Sequence, residues 1–529
     1  TIDHFYAQHN SRPGIGCLAF EVGPGDLARI AARYAAKHPK LISQKVTAYP
    51  DGSQVFEVFA YYKGASLVTD ADTGTSLRFI ESAGGPDGRA DEAFYCVLPG
   101  MAATDAADTA WGPAPLDFPG WCDHWVSNVV SREGFLQTLH DGLGFTPQVE
   151  FNAGVVAAGE ARIESTVTGN KSGMKTTDPK FALTNMNQIY LPINNALSEV
   201  GHVHWFLEEI GQGVQHVATR VGDIIGFIQK VNDMRRMTNL GFSFLNIPRS
   251  YYGVLEDAAL AAACGGGADE AAAVKSALLA AGVIDVNGIV VDLNVTDAAV
   301  RAAAPGAGAA VCAAVKHARY SNLHKLLGDN IASETYLAIV RNKILVDVQG
   351  EDLLYQIFTS NVLQREAGME SPFLEFIQRV CADGNKADGT CKVIRPGCGG
   401  FGIRNFLTLF LSIEVSKAMN DLEVAEAGGD AVGKRFAERR ITLFTDQLNE
   451  SNPILTRISD AMTEEGVLRE QAEEARAAGD AARQAALTAE ADKHMAIKDG
   501  GNGLLQTCSG KYNGLMKALR REHAEAKAQ

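Results

Sequence analysis

His124 and His216 each open a copy of the same short pattern, and Glu375 lies in a third strand-like run. His124 begins HWVSNVV and is followed by a helical stretch, SREGFLQTLHDGLGF. His216 begins HVATRV and is followed by GDIIGFIQKVNDMRRMTNLGF. Both stretches end in Leu-Gly-Phe, and Glu375 sits within PFLEFIQRV. Two imidazoles and one carboxylate on one face of a metal leave positions open for a bidentate substrate and O2, the pattern of a non-haem Fe(II) site. A lone strand histidine is more often a hydrogen-bonded core residue than a ligand. Equivalent placement in two copies of one module sets this pair apart. An unpaired buried carboxylate is costly, so Glu375 needs a cation, either the metal or a basic neighbour such as Arg379. His202 and His204 of GHVHWF form a rival pair that shares a face only on a strand.

The elements that must position these residues are legible as repeats. Residues 14–39 read as a strand (GIGCLAFEV), a turn (GPGD) and a helix (LARIAARYAAKH). Aligned on the strand, Cys17 falls where His124 and His216 fall. The runs SQVFEVFAYY and TSLRFIES continue that first copy. Three strand–helix–strands modules are visible, and paired modules lead us to expect a fourth before residue 1. LDFPGWCDHW (116–125) reads as a linker into the second half, and 148–194 alternates as strands. A weaker repeat relates 250–293 to 319–358, with the Ala/Gly-rich stretch 297–315 as an inserted connector between them. GCGGFGIRNF (397–406) is a Gly-rich turn leading into NFLTLFLSIEVSKAM, read as a lid helix whose inward residues are Phe406, Leu409, Phe410 and Ile413. The Ala/Glu/Arg-rich tail is helix-forming and polar nearly all round, which predicts a solvated extension dispensable for chemistry.

Composition narrows the function classes. A net charge of −15 argues against nucleic acid, whose phosphates need a basic surface. No apolar run approaches the ~20 residues that span a bilayer, and TIDHFYAQHNSRPG opens without a secretory apolar stretch. Nine cysteines, an odd number without a Cys-x-x-Cys pair, predict free thiols in a reducing compartment, the cytoplasm or an organelle. The spacing of Cys381, Cys391 and Cys398 is a poor match to a zinc site.

Taken together, DHWVSNV (123–129), LPIN (191–194), GVQHVA (213–218), LGFSFLNIPRSYY (240–252), ILVDVQGEDLLYQIFT (344–359), FLEFIQRV (373–380) and GCGGFGIRNFLTLFLSIE (397–414) resemble the 4-hydroxyphenylpyruvate dioxygenases, in the family's order. The resemblance implies an α+β fold of repeated βαβββ vicinal-oxygen-chelate modules in two half-barrel domains, with a helical C-terminal extension. It implies an incomplete N-terminal domain over 1–115, a catalytic domain over 120–255 and 318–415, an insertion over 256–317 and an extension over 416–529. His124, His216 and Glu375 would hold Fe(II). Gln215, Gln356, Phe358, Phe373, Phe401, Asn405 and Phe406 match the family's catalytic pocket, and Pro192, Asn194, Gln215 and Gln356 its substrate contacts. The implied reaction takes 4-hydroxyphenylpyruvate and O2 to homogentisate and CO2, a step of tyrosine and phenylalanine catabolism. The implied partners are therefore a small 2-oxo acid and O2, with neither nucleic acid nor a membrane span, in a homodimer. Phe401 points to homogentisate rather than the hydroxymandelate of a related branch; a metal-dependent binding protein of the same fold is the other class. Pro179, where the family carries serine, and His202, where it carries glutamine, depart from the pattern.

Overall fold

The computed structural model describes residues 2–64, 70–83, 121–170, 176–184, 188–360, 369–382, 394 and 397–528. Residues 116–120 of the expected linker and Cys391 lie outside the described residues. The chain divides into two compact units, each assembled from separate stretches. The first is Thr1–Gly222 with Thr359–Ile377 and Asp383–Cys398; the second is Asp223–Phe358 with Gln378–Ala382 and Gly399–Gln529.

In the first unit a short helix, α1 (Ile2–Gln8), precedes a βαβββ module: β1 (Cys17–Glu21), α2 (Asp26–Lys37), β2 (Ile42–Ala48), β3 (Gln54–Tyr62) and β4 (Ala71–Glu81). Its sheet runs β1-β4-β3-β2, with β1 parallel to β4 and the other pairs antiparallel. The next module repeats the scheme with β5 (Trp121–Asn128), α3 (Arg132–Leu143), β6 (Thr146–Ala158), β7 (Ala161–Gly169) and β8 (Tyr190–Ala196). Again the first strand lies parallel to the last, in the order β5-β8-β7-β6. Ser131 caps α3 by accepting from the Gly134 N–H at 3.1 Å. Gly144 ends it at φ 74°, a left-handed position that suits glycine. That explains the first Leu-Gly-Phe: a helix stop followed by the buried Phe145. Leu27 and Tyr34 of α2, Phe56 and Phe79 of the first sheet, and Trp125, Phe135 and Leu139 of the second module share one apolar core. The segment between β7 and β8 carries α4 (Pro179–Thr184), where Pro179 takes the tolerated first helical position. The segment after β8 carries α5 (His202–Glu209).

The element order repeats a third time, as β9 (Gly213–Arg220), α6 (Ile224–Thr238), β10 (Leu345–Gln349), β11 (Asp352–Phe358) and β12 (Phe373–Val380). Here Asn239 ends the helix at φ 55°, ahead of the second Leu-Gly-Phe. Within the first unit β9 pairs antiparallel with β5 and parallel with β12.

In the second unit, residues 250–293 and 319–358 both run two helices into a turn. The first copy closes on one bridge, Ile284–Val290; the second closes on the β10–β11 hairpin. The stretch read as a connector is instead folded. Its helices Asp297–Ala303 and Ala309–Ala318 bury Val300, Val311, Cys312 and Val315 in a core of their own with Leu260, Leu278 and Ile284. Alanine-rich helices pack closely around few large side chains, so composition alone concealed this core.

The C-terminal region also differs from expectation. Helix Ile403–Gly428, called α13 because among the described residues six α-helices lie between α6 and it, is buried on all sides from Arg404 to Val415. A helix enclosed on every side belongs to an interior, polar residues included, so it is not a surface lid. Helices α14 (Ala431–Ala477) and α15 (Ala481–Ala528) bury Phe444, Leu448, Leu455 and Ile458 on one, and Leu505, Tyr512, Met516 and Leu519 on the other. The stripe is narrow but long. Gly501 also lacks the Cβ that would meet Ile458 at 2.5 Å. The tail is therefore a packed helical pair rather than a solvated extension. Cys381 and Cys398 are disulfide-bonded, against the expectation of free thiols; Cys17, Cys122, Cys264, Cys312 and Cys508 are free. Among the described residues no helix is long and apolar enough to cross a membrane.

Candidate metal centre

Strand register brings the three expected ligands onto one face. Ala218 of β9 pairs with His124 of β5 on one side and with Glu375 of β12 on the other. Directly paired residues point the same way, and so do residues two apart on one strand. His216, two residues before Ala218, therefore joins them. Ala218 is small enough to leave the space between them open.

The side chains converge accordingly. His124 Nε2 lies 3.2 Å and His216 Nε2 lies 3.3 Å from the same Glu375 oxygen, Oε2. The three donor atoms lie within 4.8 Å of one another, and each residue is at most 2% exposed. The imidazole planes are 75° apart.

The two histidines are backed differently. His124 Nδ1 donates to Asp123 Oδ1 at 2.8 Å, although the two are adjacent in β5. Neighbours on a regular strand point to opposite faces. Here the pairing shifts between Cys122–Thr219 and His124–Ala218, so Asp123 is the extra residue of a β-bulge. Bulges re-aim side chains in this way. The other Asp123 oxygen accepts from Arg220 Nε, and Arg220 Nη1 donates to the Leu183 carbonyl at 2.7 Å. His216 Nδ1 instead meets the neutral Gln215 Oε1 at 3.1 Å, and its ring stacks on Phe373 at 4.6 Å.

These surroundings set the charges. Burial opposes a charge on His124, but Glu375 and Asp123 outweigh it and lift its pKa to about 9. Burial also opposes the Glu375 charge, but the two histidines hold it down to about 2. Burial dominates at His216 and lowers its pKa. The donor set, two imidazole nitrogens and a carboxylate oxygen aimed at one point, fits a divalent first-row metal with open positions. A carboxylate behind one ligand histidine is the usual means of fixing its tautomer.

No protein-family model matches the chain. Curated relatives do. The 4-hydroxyphenylpyruvate dioxygenase of Plectranthus scutellarioides is 25% identical over 351 residues, covering 65% of this chain and 58% of that protein. The same-named protein of Hordeum vulgare is 23% identical over 415 residues, covering 75% and 73%. The chain is a relative of the 4-hydroxyphenylpyruvate dioxygenases. It spans little more than half of the Plectranthus protein's length. Among solved structures, a triple mutant of 4-hydroxymandelate synthase from Streptomyces coelicolor overlaps 78% of this chain and 79% of its own, at 14% identity and a TM-score of 0.42.

The pocket positions carried over from the 4-hydroxyphenylpyruvate dioxygenases fall into two groups. Pro192, Asn194, Gln215 and Phe373 lie in the unit that holds the metal cluster. Asn194 Nδ2 donates to Asn128 Oδ1 at 3.2 Å, across the β5–β8 pair. Gln356, Phe358, Phe401, Asn405 and Phe406 lie in the second unit. There Asn405 Nδ2 donates to Gln356 Oε1 at 2.8 Å, and the Phe401 and Phe406 rings are 5.9 Å apart. His202 and His204 lie on α5, not a strand, and neither belongs to the cluster. Cys17, at the equivalent first-strand position, is exposed. Sequence reasoning missed Asp123 and Arg220. The Asp-His dipeptide was visible, but only the bulge turns that aspartate toward its neighbour.

Proposed function

We propose that this chain is an Fe(II)-dependent dioxygenase that converts 4-hydroxyphenylpyruvate and O2 to homogentisate and CO2. The observation that carries the reading is the buried His124–His216–Glu375 cluster on three adjacent strands, in a relative of the 4-hydroxyphenylpyruvate dioxygenases. His124, His216 and Glu375 would hold the metal. Fe(II) there supplies the redox chemistry that activates O2 for oxidative decarboxylation of a 2-oxo acid.

The protein's own residues do the rest. Asp123 keeps the His124 proton on Nδ1, so Nε2 offers its lone pair to the centre. Arg220 holds Asp123 in place. Gln215 sets the tautomer of His216 through the same nitrogen, and Phe373 fixes that ring's plane. Phe358, Phe401 and Phe406 contribute apolar surface suited to a phenyl ring. Asn194, Gln215 and Gln356 contribute amides suited to a phenol and carboxylate oxygens, and Pro192 stiffens the strand that carries Asn194. Burial of His124, His216 and Glu375 keeps water from the metal position.

Oxygen uptake by the Fe(II)-loaded protein, with 4-hydroxyphenylpyruvate supplied and the product resolved by chromatography, tests the reading. Homogentisate formed one for one with O2 consumed is expected. Loaded protein that consumes no O2 would indicate a binding role, and 4-hydroxymandelate as the main product would assign the other branch.

A further inference from the structure

Tyr251 sits at the end of a one-turn helix, Arg249–Tyr251, and is 2% exposed. Its hydroxyl oxygen accepts from the Val346 N–H at 2.9 Å and from Arg404 Nη2 at 3.1 Å. A phenol oxygen accepts two hydrogen bonds and donates one. Both acceptor places are therefore filled, one by a guanidinium that has no acceptor to offer. The single hydroxyl hydrogen is shared between the Val346 carbonyl at 2.8 Å and Asn405 Oδ1 at 2.9 Å. The Val346 carbonyl already receives Arg404 Nη2. If Asn405 turned its NH2 toward the phenol, a third donor would meet a filled oxygen. Asn405 must therefore face Tyr251 with Oδ1 and Gln356 with Nδ2, as it does at 2.8 Å from Gln356 Oε1.

We propose that Tyr251 is a positioning residue that fixes the polarity of the Gln356 side chain. Arg404 orients Tyr251, Tyr251 orients Asn405, and Asn405 takes the Gln356 oxygen. Gln356 is thereby committed as a hydrogen-bond donor at Nε2, the polarity that suits a carboxylate, keto or phenolate oxygen. Gly402 (φ 72°) makes room, because a Cβ there would lie 2.6 Å from Gln356 Oε1. Asp347, 4% exposed, anchors the start of α13 by accepting the Arg404 and Val348 N–H groups at 3.2 and 2.9 Å. The chain of bonds is buried throughout, where an unmatched polar group is costly. The substrate role of Gln356 rests on the proposed function; the polarity of the chain does not.

The test uses the full chain with Tyr251→Phe, Gln356→Ala and the double variant. In the Fe(II)-loaded protein, Tyr251→Phe is expected to raise KM for 4-hydroxyphenylpyruvate about 3- to 10-fold, the loss of roughly one buried hydrogen bond, with kcat changed less. In the Gln356→Ala background the same substitution should change KM less than about twofold, because coupled residues are not additive. An equal KM effect in both backgrounds, or none in either, would overturn the proposal. Asn405→Asp, which offers oxygen to both neighbours, should mimic Tyr251→Phe and serves if that variant does not fold. Exchange of the Asn405 and Gln356 side-chain amide protons, read by NMR on the metal-free protein, separates this claim from the choice of substrate. Both should exchange at least tenfold faster in Tyr251→Phe while backbone amides of α13 keep their protection. Unchanged side-chain exchange would overturn the proposal whatever the substrate proves to be.

Discussion

His124 and His216 occupy the same place in two copies of one module, yet their surroundings are chemically opposite. Behind His124 stands a carboxylate, locked by Arg220; behind His216 stands a neutral amide, with an aromatic ring against the imidazole. Burial neutralises His216, whereas the acidic neighbours of His124 favour its charged form. The module repeat sets where a ligand stands. The residue just before each histidine, Asp123 or Gln215, sets how strongly it holds a proton or a metal.

The comparison can be broken most severely at the ligands themselves. Replacing His124, His216 or Glu375 by alanine should abolish turnover and reduce retained iron to background after desalting, read by plasma emission. Ala218→Leu should act nearly as strongly, because its side chain would enter the face where the three ligands meet.

The next effect separates the two histidines. Asp123→Asn should weaken metal binding about 10- to 100-fold, as loss of a hydrogen-bonded partner behind a ligand does. It should also lower the melting temperature, because it leaves Arg220 buried without its carboxylate. Gln215→Ala should weaken metal binding less, with its main effect on KM. Equal losses of metal affinity would show that the asymmetry has no consequence.

The pH dependence sharpens the contrast in the metal-free protein. His124, raised above its ordinary 6.5, contributes stability that is complete below 6.5 and lost as pH rises through about 9. Glu375, lowered to about 2, contributes stability present above its ordinary 4.5 and lost as pH falls toward 2. His216, lowered by burial, removes stability as pH falls below 6.5. Melting temperature should therefore peak near neutral pH and fall on both sides. Metal must displace the His124 proton, so binding at pH 7 should release about one proton and tighten as pH rises toward 9. Calorimetry in buffers of different ionisation enthalpy reads that proton directly.

Phe373→Leu should give the smallest effect, a few-fold loss in metal affinity at most, since one ring stack contributes about 0.5–1.5 kcal/mol. It acts on His216 alone and leaves the His124 side unchanged.

The convergence of His124, His216 and Glu375 was legible because it depends on strand periodicity and on repetition, both properties of the sequence. Asp123 was not, because its role depends on a bulge created by how β5 pairs with β9. Tyr251 lay in a recognisable stretch, but its partners Arg404 and Asn405 are 153 and 154 residues away. The lid reading of α13 failed because residues such as Thr408 and Ser412, which break its apolar pattern, are fully buried. The tail reading failed because small residues let two long helices approach along a narrow stripe. Helix α14 packs against α13, the buried helix that carries Arg404 and Asn405. Truncation after residue 420 is thus expected to lower stability and turnover rather than leave them intact, as melting and oxygen uptake would show.

The most direct test is an anaerobic Fe(II) titration of the wild-type chain and of His216→Ala, both verified as folded. The account predicts one tightly held iron per wild-type chain and none above background in the variant. Equal, full occupancy in both would contradict it.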